Sequence, residues 1–314
     1  MILDKENGEF KARRLRAVKQ DLNSSAATLA RKALEDIIDY ADSCQVEDSL
    51  ALSVELKDLA EQLIAARPSR LVVGNLLGYW LNNLPELPED LVRARGRAGA
   101  HAEEVISLLQ KAQSQVVAKC LAEIKPNMTI MTHSSSSNVM GLFRACYLAD
   151  LKVSAIITES RPGMEGRNLA RYLNKLGVSC QFITEAQMAS FVVQADKVIV
   201  GADTVLRDGS LISKSGNRLL ALAAKDAGVP FWVLAEGFKH SLILPEDAVL
   251  EEADVEELQL EAMPNVKMHN IYFELVPARL ISAWVDEEKV SVTFRSLAES
   301  RPDILPALPE SPAT

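Results

Sequence analysis

The chain has 314 residues, of which 48% are hydrophobic and 25% are charged, and its net charge is -9. This length and composition predict a soluble protein with a buried core and two domains. The acidic balance, with an isoelectric point near 5.2, disfavours a protein dedicated to nucleic acid or to an anionic membrane.

Helical spacing of apolar residues marks the front of the chain. Apolar residues recur every three or four positions over residues 22–38, 50–65 and 91–124. Ser24 and Ser25 are candidate N-caps, because serine oxygen accepts a hydrogen bond from an amide of the first helical turn. We therefore predict a helical N-terminal domain over residues 1–125.

Short apolar runs alternate with helical stretches after this domain. This alternation predicts an α/β domain with a parallel, doubly wound sheet over residues 126–300. The final residues, 301–314, contain four prolines and are predicted to form a loose tail. The predicted strands are residues 129–132, 153–157, 178–182, 198–200 and 231–234.

A run of four serines follows the first predicted strand and precedes a predicted helix over residues 139–149. The amides of Ser134–Ser137 would lie at the N-terminus of this helix, where the helix dipole favours an anion such as phosphate. Serine is also a common cap and turn residue, so a purely structural interpretation stays open.

A carboxylate and several basic residues lie on the loops after later strands. Asp203 follows the strand at residues 198–200, where it could act in acid–base chemistry or cap the next turn. Arg161, Lys214 and Lys239 could hold a phosphate or be solvated at the surface. Together they predict a site for a phosphorylated, hydroxyl-rich small molecule. His133 could be a general base, although a histidine at the end of a buried strand is more often structural.

The cysteine and histidine pattern indicates neither a zinc site nor a disulfide framework. The four cysteines have no CxxC spacing, and the four histidines form no HxxxH pair. We therefore predict no metal, no cofactor and a reducing, cytoplasmic setting. The N-terminus does not resemble a signal peptide, and no uncharged apolar run reaches about 18 residues, so we predict no membrane contact.

Several motifs together resemble one superfamily. It joins the alpha, beta and delta subunits of translation initiation factor 2B with the ribose-1,5-bisphosphate and methylthioribose-1-phosphate isomerases. The resemblance covers nearly the whole chain but does not choose between these branches. Its motifs are Glu159-Ser-Arg-Pro with Glu165-Gly-Arg, Val198-Ile-Val-Gly-Ala-Asp203, Asp208-Gly-Ser-Leu-Ile-Ser-Lys214, Pro230-Phe-Trp-Val-Leu-Ala-Glu-Gly-Phe-Lys239 and Asn270-Ile-Tyr-Phe-Glu-Leu-Val-Pro277.

The resemblance implies a fold and an assembly. It implies a helical N-terminal domain packed on a Rossmann-like C-terminal domain, with a phosphosugar pocket between the two. It also implies a homodimer formed through the C-terminal domain. The apolar motif at residues 272–276 fits this expectation, because a monomer has little reason to expose it.

The resemblance also implies roles for individual residues. It places a catalytic aspartate at Asp203 and a cysteine where this chain has Ser134. Serine is a weaker acid–base group than a thiol, whose reference pKa is about 8.5. The predicted catalytic residues are therefore Asp203 and Ser134. The predicted substrate and phosphate contacts are Arg67, Ser136, Ser137, Asn138, Arg161, Ser213, Lys214 and Lys239.

Two functions follow from the sequence. We favour a phosphosugar-binding, regulatory protein like the initiation factor 2B alpha subunit, without efficient isomerase activity, because residues 235–245 are more similar to that subunit. The alternative is an aldose–ketose isomerase acting on a sugar 1-phosphate such as ribose 1,5-bisphosphate or methylthioribose 1-phosphate. A homodimer with neither activity is a third possibility. The predicted partners are a phosphorylated sugar or nucleotide-derived molecule, a second copy of the chain, and an initiation factor or other protein.

Overall fold

The computed structural model describes residues 2–21, 24–67, 70–250 and 252–294. The predicted loose tail at residues 301–314 lies outside the described residues. The described chain forms two compact units, of which the first ends at Gln110 and the second begins at Lys111. The boundary predicted at residue 125 lies further along the chain, after the end of the long helix that crosses from one unit to the other.

The first unit is helical, as predicted. Ser25 caps the second helix, because its hydroxyl oxygen accepts a 3.2 Å hydrogen bond from the Thr28 N–H. Among the described helices of the chain, none is both long and apolar enough to cross a membrane. The helices are α1 (Ile2–Gln20), α2 (Ala26–Ser43), α3 (Ser49–Ala66), α4 (Leu71–Asn82) and α5 (Leu91–Leu121), whose last residues belong to the second unit.

The second unit contains two sheets. The larger sheet has the order β10-β9-β7-β4-β1-β2-β3 and is parallel except for the edge strand β10, whereas β5, β6 and β8 form a small antiparallel sheet. The strands are β1 (Thr129–Thr132), β2 (Ser154–Thr158), β3 (Cys180–Ile183), β4 (Lys197–Gly201), β5 (Thr204–Val205), β6 (Leu211–Lys214), β7 (Phe231–Leu234), β8 (Phe273–Val276), β9 (Ala283–Val285) and β10 (Val290–Ser291).

Helices cover both faces of the larger sheet, which confirms the doubly wound prediction. Side chains of neighbouring strand residues point to opposite faces, so Ile130 and Met131 belong to different cores. One core contains α6 (Ser137–Leu148), α7 (Gly166–Leu176) and the end of α5, and the other contains α8 (Met188–Val192) and α9 (Asn217–Asp226). Burial on both faces explains why these strands are continuous apolar runs.

The strand order defines where a ligand would bind. In chain order, the six parallel strands lie third, second, first, fourth, fifth and sixth across the sheet, which is the Rossmann order. The order reverses between β1 and β4. In open sheets of this kind, ligands bind in the crevice at the carboxyl ends of the two strands where the order reverses. Here those ends lead into the serine run and into Asp203.

Candidate functional site

The serine run lies between the end of β1 and the start of α6. Ser136 is the N-cap of α6, yet its side chain makes no capping hydrogen bond. Its hydroxyl oxygen is buried without a hydrogen-bond partner among the described residues. Ser134 has a positive φ of 66°, and its N–H donates a 2.8 Å hydrogen bond to the Ser160 hydroxyl. The first turn of α6 therefore faces the crevice without a side-chain cap.

The end of β4 approaches the serine run very closely. A Cβ atom built on Gly201 would lie 2.2 Å from Ser136 Oγ. The carbonyl oxygen of Gly201 also accepts a 3.3 Å hydrogen bond from the Ser213 hydroxyl. Because Gly201 has no side chain, the end of β4, the serine run and β6 approach one another closely.

We expect Gly201→Ala to lower the free energy of unfolding by about 1–3 kcal/mol, because the added methyl group displaces Ser136. Chemical denaturation measures this loss. The same substitution in a Ser136→Gly background removes the clashing atoms, so its cost should fall below about 1 kcal/mol. An equal cost in both backgrounds would show that this contact is not its cause.

Asp203 lies two residues after β4, at the start of the hairpin formed by β5 and β6. Its N–H donates a 3.0 Å hydrogen bond to the carbonyl oxygen of Ile212, which fixes its backbone against the strand that carries Ser213. Its side chain is half-buried. Asp203 thus lies at the predicted crevice and is partly exposed to solvent.

Lys214 is buried at the end of β6. Its ammonium group forms an ion pair with Glu165 and lies 3.5 Å from the centre of the Tyr272 ring. The neighbouring Ser213 accepts a 2.7 Å hydrogen bond from the Asn217 amide. These contacts fix the predicted Ser213-Lys214 pair in a largely buried position.

Lys239 has the same kind of environment after β7. Its ammonium nitrogen lies 3.4 Å from a carboxylate oxygen of Glu236, which is completely buried. The same oxygen accepts a 2.7 Å hydrogen bond from the Asn138 amide. The amide of Asn138 is therefore engaged by a carboxylate. Both predicted phosphate-binding lysines are paired with an acid of the chain itself.

Several buried polar atoms at this edge have no hydrogen-bond partner among the described residues. Buried polar groups are nearly always hydrogen-bonded in proteins, so a cluster of exceptions indicates a site that a polar ligand or ordered water completes. Most of the atoms are acceptors, which suits a ligand rich in hydroxyl groups. They are Ser136 Oγ, Asn138 Oδ1, Glu165 Oε2, Asn217 Oδ1 and Glu236 Oε1.

The two arginines predicted to bind phosphate are not among these contacts. Arg161 is half-buried in the loop after β2. Arg67 is buried in the first unit. One of its terminal nitrogens donates to the carbonyl oxygens of Val18, Lys19 and Asp21 at 3.2–3.5 Å, where a cation stabilises the C-terminus of α1. The phosphate roles of both arginines stay predictions.

His133 is structural in this arrangement. Its Nε2 lies 2.8 Å from the carbonyl oxygen of Ser215, so this nitrogen carries the proton and donates it. Its Nδ1 lies 2.6 Å from the Thr158 hydroxyl, which then donates to the ring. Burial lowers the pKa of His133 from 6.5 to about 4. The neutral imidazole connects the ends of β1 and β2 with the loop before α9.

We expect His133 to destabilise the protein as the pH falls. The folded-state pKa lies below the unfolded value, so stability is complete above about pH 6.5 and declines toward pH 4. The pKa shift corresponds to a loss of about 3 kcal/mol. His133→Gln should flatten the dependence of unfolding free energy on pH in this range, whereas the exposed His269→Gln should not. Equal slopes for all three proteins would contradict the assignment.

Sequence reasoning missed Glu165 and Glu236 as partners of the two lysines. Glu236 has the signal that singled out Asp203, since it is an acid directly after a buried apolar strand. Glu165 has no such signal, because its ion pair with Lys214 joins residues 49 positions apart. Another acid, Glu274, caps α9 by accepting hydrogen bonds from the N–H groups of Gly216 at 2.6 Å and Arg218 at 2.9 Å.

The fold and the site define a doubly wound α/β protein with two buried lysine–carboxylate pairs among its described residues. The chain belongs to the Initiation factor 2 subunit family, whose model matches residues 22–288. The superfamily resemblance drawn from the motifs is therefore confirmed.

Relatives of two kinds are similar to this chain over most of its length. A ribose 1,5-bisphosphate isomerase of Archaeoglobus fulgidus is 32% identical over 266 residues, which are 83% of each chain. A putative translation initiation factor eIF-2B subunit 2-like protein of Pyrococcus abyssi is 31% identical over 292 residues, or 92% of this chain and 96% of the relative. Identity alone does not separate the two kinds.

Solved structures support the fold. A translation initiation factor eIF-2B of Pyrococcus horikoshii OT3 superposes with a TM-score of 0.77 at 28% identity, covering 90% of this chain and 96% of that one. A 5-methylthioribose 1-phosphate isomerase of the same organism also has a TM-score of 0.77, with coverage of 90% and 84%. Its identity is 20%, so this likeness concerns the fold alone.

Proposed function

We propose that the protein binds a sugar phosphate at the carboxyl edge of its large sheet and interconverts aldose and ketose forms of it. Ribose 1,5-bisphosphate is the first substrate to test, because relatives named for its isomerisation are 26–32% identical to this chain. The observation that carries the proposal is the position of Asp203, half-buried at the crevice where the strand order reverses. The relatives named as ribose 1,5-bisphosphate isomerases favour the isomerase over the regulatory function that we favoured from the sequence.

The chemistry needs no external oxidant or reductant. When a cyclic aldose 1-phosphate becomes an open-chain ketose, a hydrogen moves from C2 to C1 and the bond between C1 and the ring oxygen breaks. The proton of the 2-hydroxyl is lost, and the ring oxygen gains one. We assign this proton transfer to the Asp203 carboxylate. Lys214, Lys239 and the amides at the start of α6 would hold the phosphates.

Proton NMR of the native protein with ribose 1,5-bisphosphate tests this proposal. We expect the anomeric proton signal to disappear while ketose signals appear. Methylthioribose 1-phosphate, examined in parallel, tests the other substrate of the superfamily. If calorimetry detects binding of the sugars but NMR detects no ketose from either of them, the proposed activity is contradicted.

A phosphosugar-binding protein without efficient activity is the second candidate function. Ser134 favours it, since this residue stands where the resemblance places a cysteine. A serine hydroxyl cannot hold a negative charge at neutral pH without an adjacent base. His133, the neighbouring residue, has both ring nitrogens engaged elsewhere. This function predicts that the site binds sugar phosphates and turns them over slowly or not at all.

We further propose a cytoplasmic protein that forms homodimers and has a partner in translation initiation. The relatives named for initiation factor eIF-2B support the partner. The apolar motif at residues 272–276 does not support the dimer as expected, because Tyr272, Phe273 and Val276 are buried within the chain itself. The exposed side chains of Leu219 and Leu222 on α9 support it instead.

Light scattering tests the dimer. We expect the native protein to have twice the mass of one chain at micromolar concentration, and Leu219→Glu with Leu222→Glu to reduce the mass to that of a monomer. Val92→Glu, which changes a still more exposed apolar residue on α5, should leave the dimer intact. A native monomer would contradict this proposal.

A further inference from the structure

The carboxylate of Glu236 has one engaged oxygen and one without a hydrogen-bond partner. Oε2 accepts the Asn138 amide at 2.7 Å and lies 3.4 Å from the Lys239 ammonium. Oε1 has no partner among the described residues, and neither has Oδ1 of Asn138. Because Asn138 and Glu236 are hydrogen-bonded to each other, two buried acceptors without donors belong to one small cluster.

These acceptors call for a particular kind of donor. A buried acceptor without a donor is costly, and the cost is larger for a charged group. The ligand group that meets Glu236 is not a phosphate, because like charges repel there. Gly237 N–H donates to another carboxylate, Glu287, at 2.9 Å, so a second acid lies beside the first. A hydroxyl group is neutral and donates one hydrogen bond, so it suits each orphaned oxygen.

We propose that Glu236 Oε1 and Asn138 Oδ1 form a subsite that accepts hydrogen bonds from hydroxyl groups of the bound sugar. This inference rests on the proposed function, since it specifies part of the same ligand. It assigns the two ends of the Lys239–Glu236 pair to different parts of that ligand. The ammonium contacts phosphate, and the carboxylate selects a sugar that keeps its ring hydroxyls. Deoxysugar phosphates are therefore discriminated against.

Calorimetry with ribose 5-phosphate, 2-deoxyribose 5-phosphate and 3-deoxyribose 5-phosphate tests the subsite in the native protein. We expect at least one deoxysugar to bind about tenfold or more weakly, which is the value of one hydrogen bond to a charged acceptor. Similar affinities for all three, within about twofold, would overturn the inference and indicate that water serves these acceptors. Absence of binding by all three would also overturn the inference, whereas the proton NMR experiment with ribose 1,5-bisphosphate decides the proposed function separately.

A substitution at Glu236 separates hydroxyl recognition from phosphate binding. Glu236→Gln should reduce the discrimination between ribose 5-phosphate and the weaker deoxysugar severalfold. The same variant should bind inorganic phosphate more tightly, because Lys239 loses its carboxylate partner. Glu287→Gln is the matched control and should leave the discrimination unchanged. Equal loss of discrimination in the two variants would overturn the inference, because it would indicate a general effect of charge. The comparison of sugars in the native protein decides the question even if Glu236→Gln does not fold.

Discussion

Asp203→Asn should lower the rate of aldose–ketose conversion by about 10²- to 10⁴-fold, which is the usual contribution of one placed acid–base group. Asparagine keeps the shape of the side chain but cannot exchange a proton with a sugar hydroxyl. The rate is measured by proton NMR under saturating ribose 1,5-bisphosphate, and binding is measured separately by calorimetry. We expect kcat to fall while the affinity changes little.

Asp208→Asn is the matched control for this substitution. The Asp208 carboxylate lies in the turn between β5 and β6, where it accepts hydrogen bonds from the N–H and hydroxyl of Ser210. Its replacement makes the same chemical change a few residues away and should leave kcat unchanged. Brisk turnover by Asp203→Asn would show that the reaction takes place without this carboxylate.

Ser134→Cys extends the same comparison. If the missing thiol limits the native rate, this variant should be faster than the native protein, because a thiol becomes a working thiolate far more readily than serine becomes an alkoxide. The gain should disappear in the double variant with Asp203→Asn. A native protein that already turns over briskly, and that Ser134→Cys does not improve, would show that serine suffices at this position.

Lys239→Ala should weaken the binding of sugar phosphates at least about tenfold, since a hydrogen bond to a charged group contributes about 1.5–3 kcal/mol. It should also lower the free energy of unfolding by about 3–5 kcal/mol, because Glu236 would be left buried without its cation. Calorimetry with ribose 5-phosphate measures the first effect, and chemical denaturation measures the second.

A double variant separates these two effects. Lys239→Met with Glu236→Gln removes both charges, so most of the lost stability should return. The affinity for phosphate should stay low, because no ammonium group remains at this position. Recovery of phosphate affinity together with stability would show that Lys239 acts on the fold and not on the ligand.

The arrangement of the second unit could be predicted from the sequence because local patterns determine it. The runs at residues 129–132 and 231–234 are the strands β1 and β7 with the predicted bounds. Strands alternating with helices specify a parallel sheet, and the loops after parallel strands share one edge. The topology alone therefore places the serine run and Asp203 at the carboxyl ends of β1 and β4.

Pairings between distant side chains could not be predicted in the same way. Nothing in the local sequence around Lys214 indicates that Glu165 neutralises it, and the contact of Asn138 with Glu236 spans 98 positions. The burial of Tyr272 and Phe273 depends on the small sheet that β8 forms with β6, which periodicity did not reveal. These pairings determine the electrostatics around the predicted site, and no local sequence pattern indicates them.

A crystal structure of the protein with bound ribose 1,5-bisphosphate tests the central claim most directly. We predict density for the sugar at the carboxyl ends of β1 and β4, with a phosphate within hydrogen-bond distance of Lys239 Nζ and a hydroxyl group on Glu236 Oε1. The opposite edge of the sheet also has a cavity, of about 340 Å³, lined by Tyr147, Asp150, Lys152 and neighbouring residues. Density for the sugar in that cavity, with none at the carboxyl edge, would contradict the account.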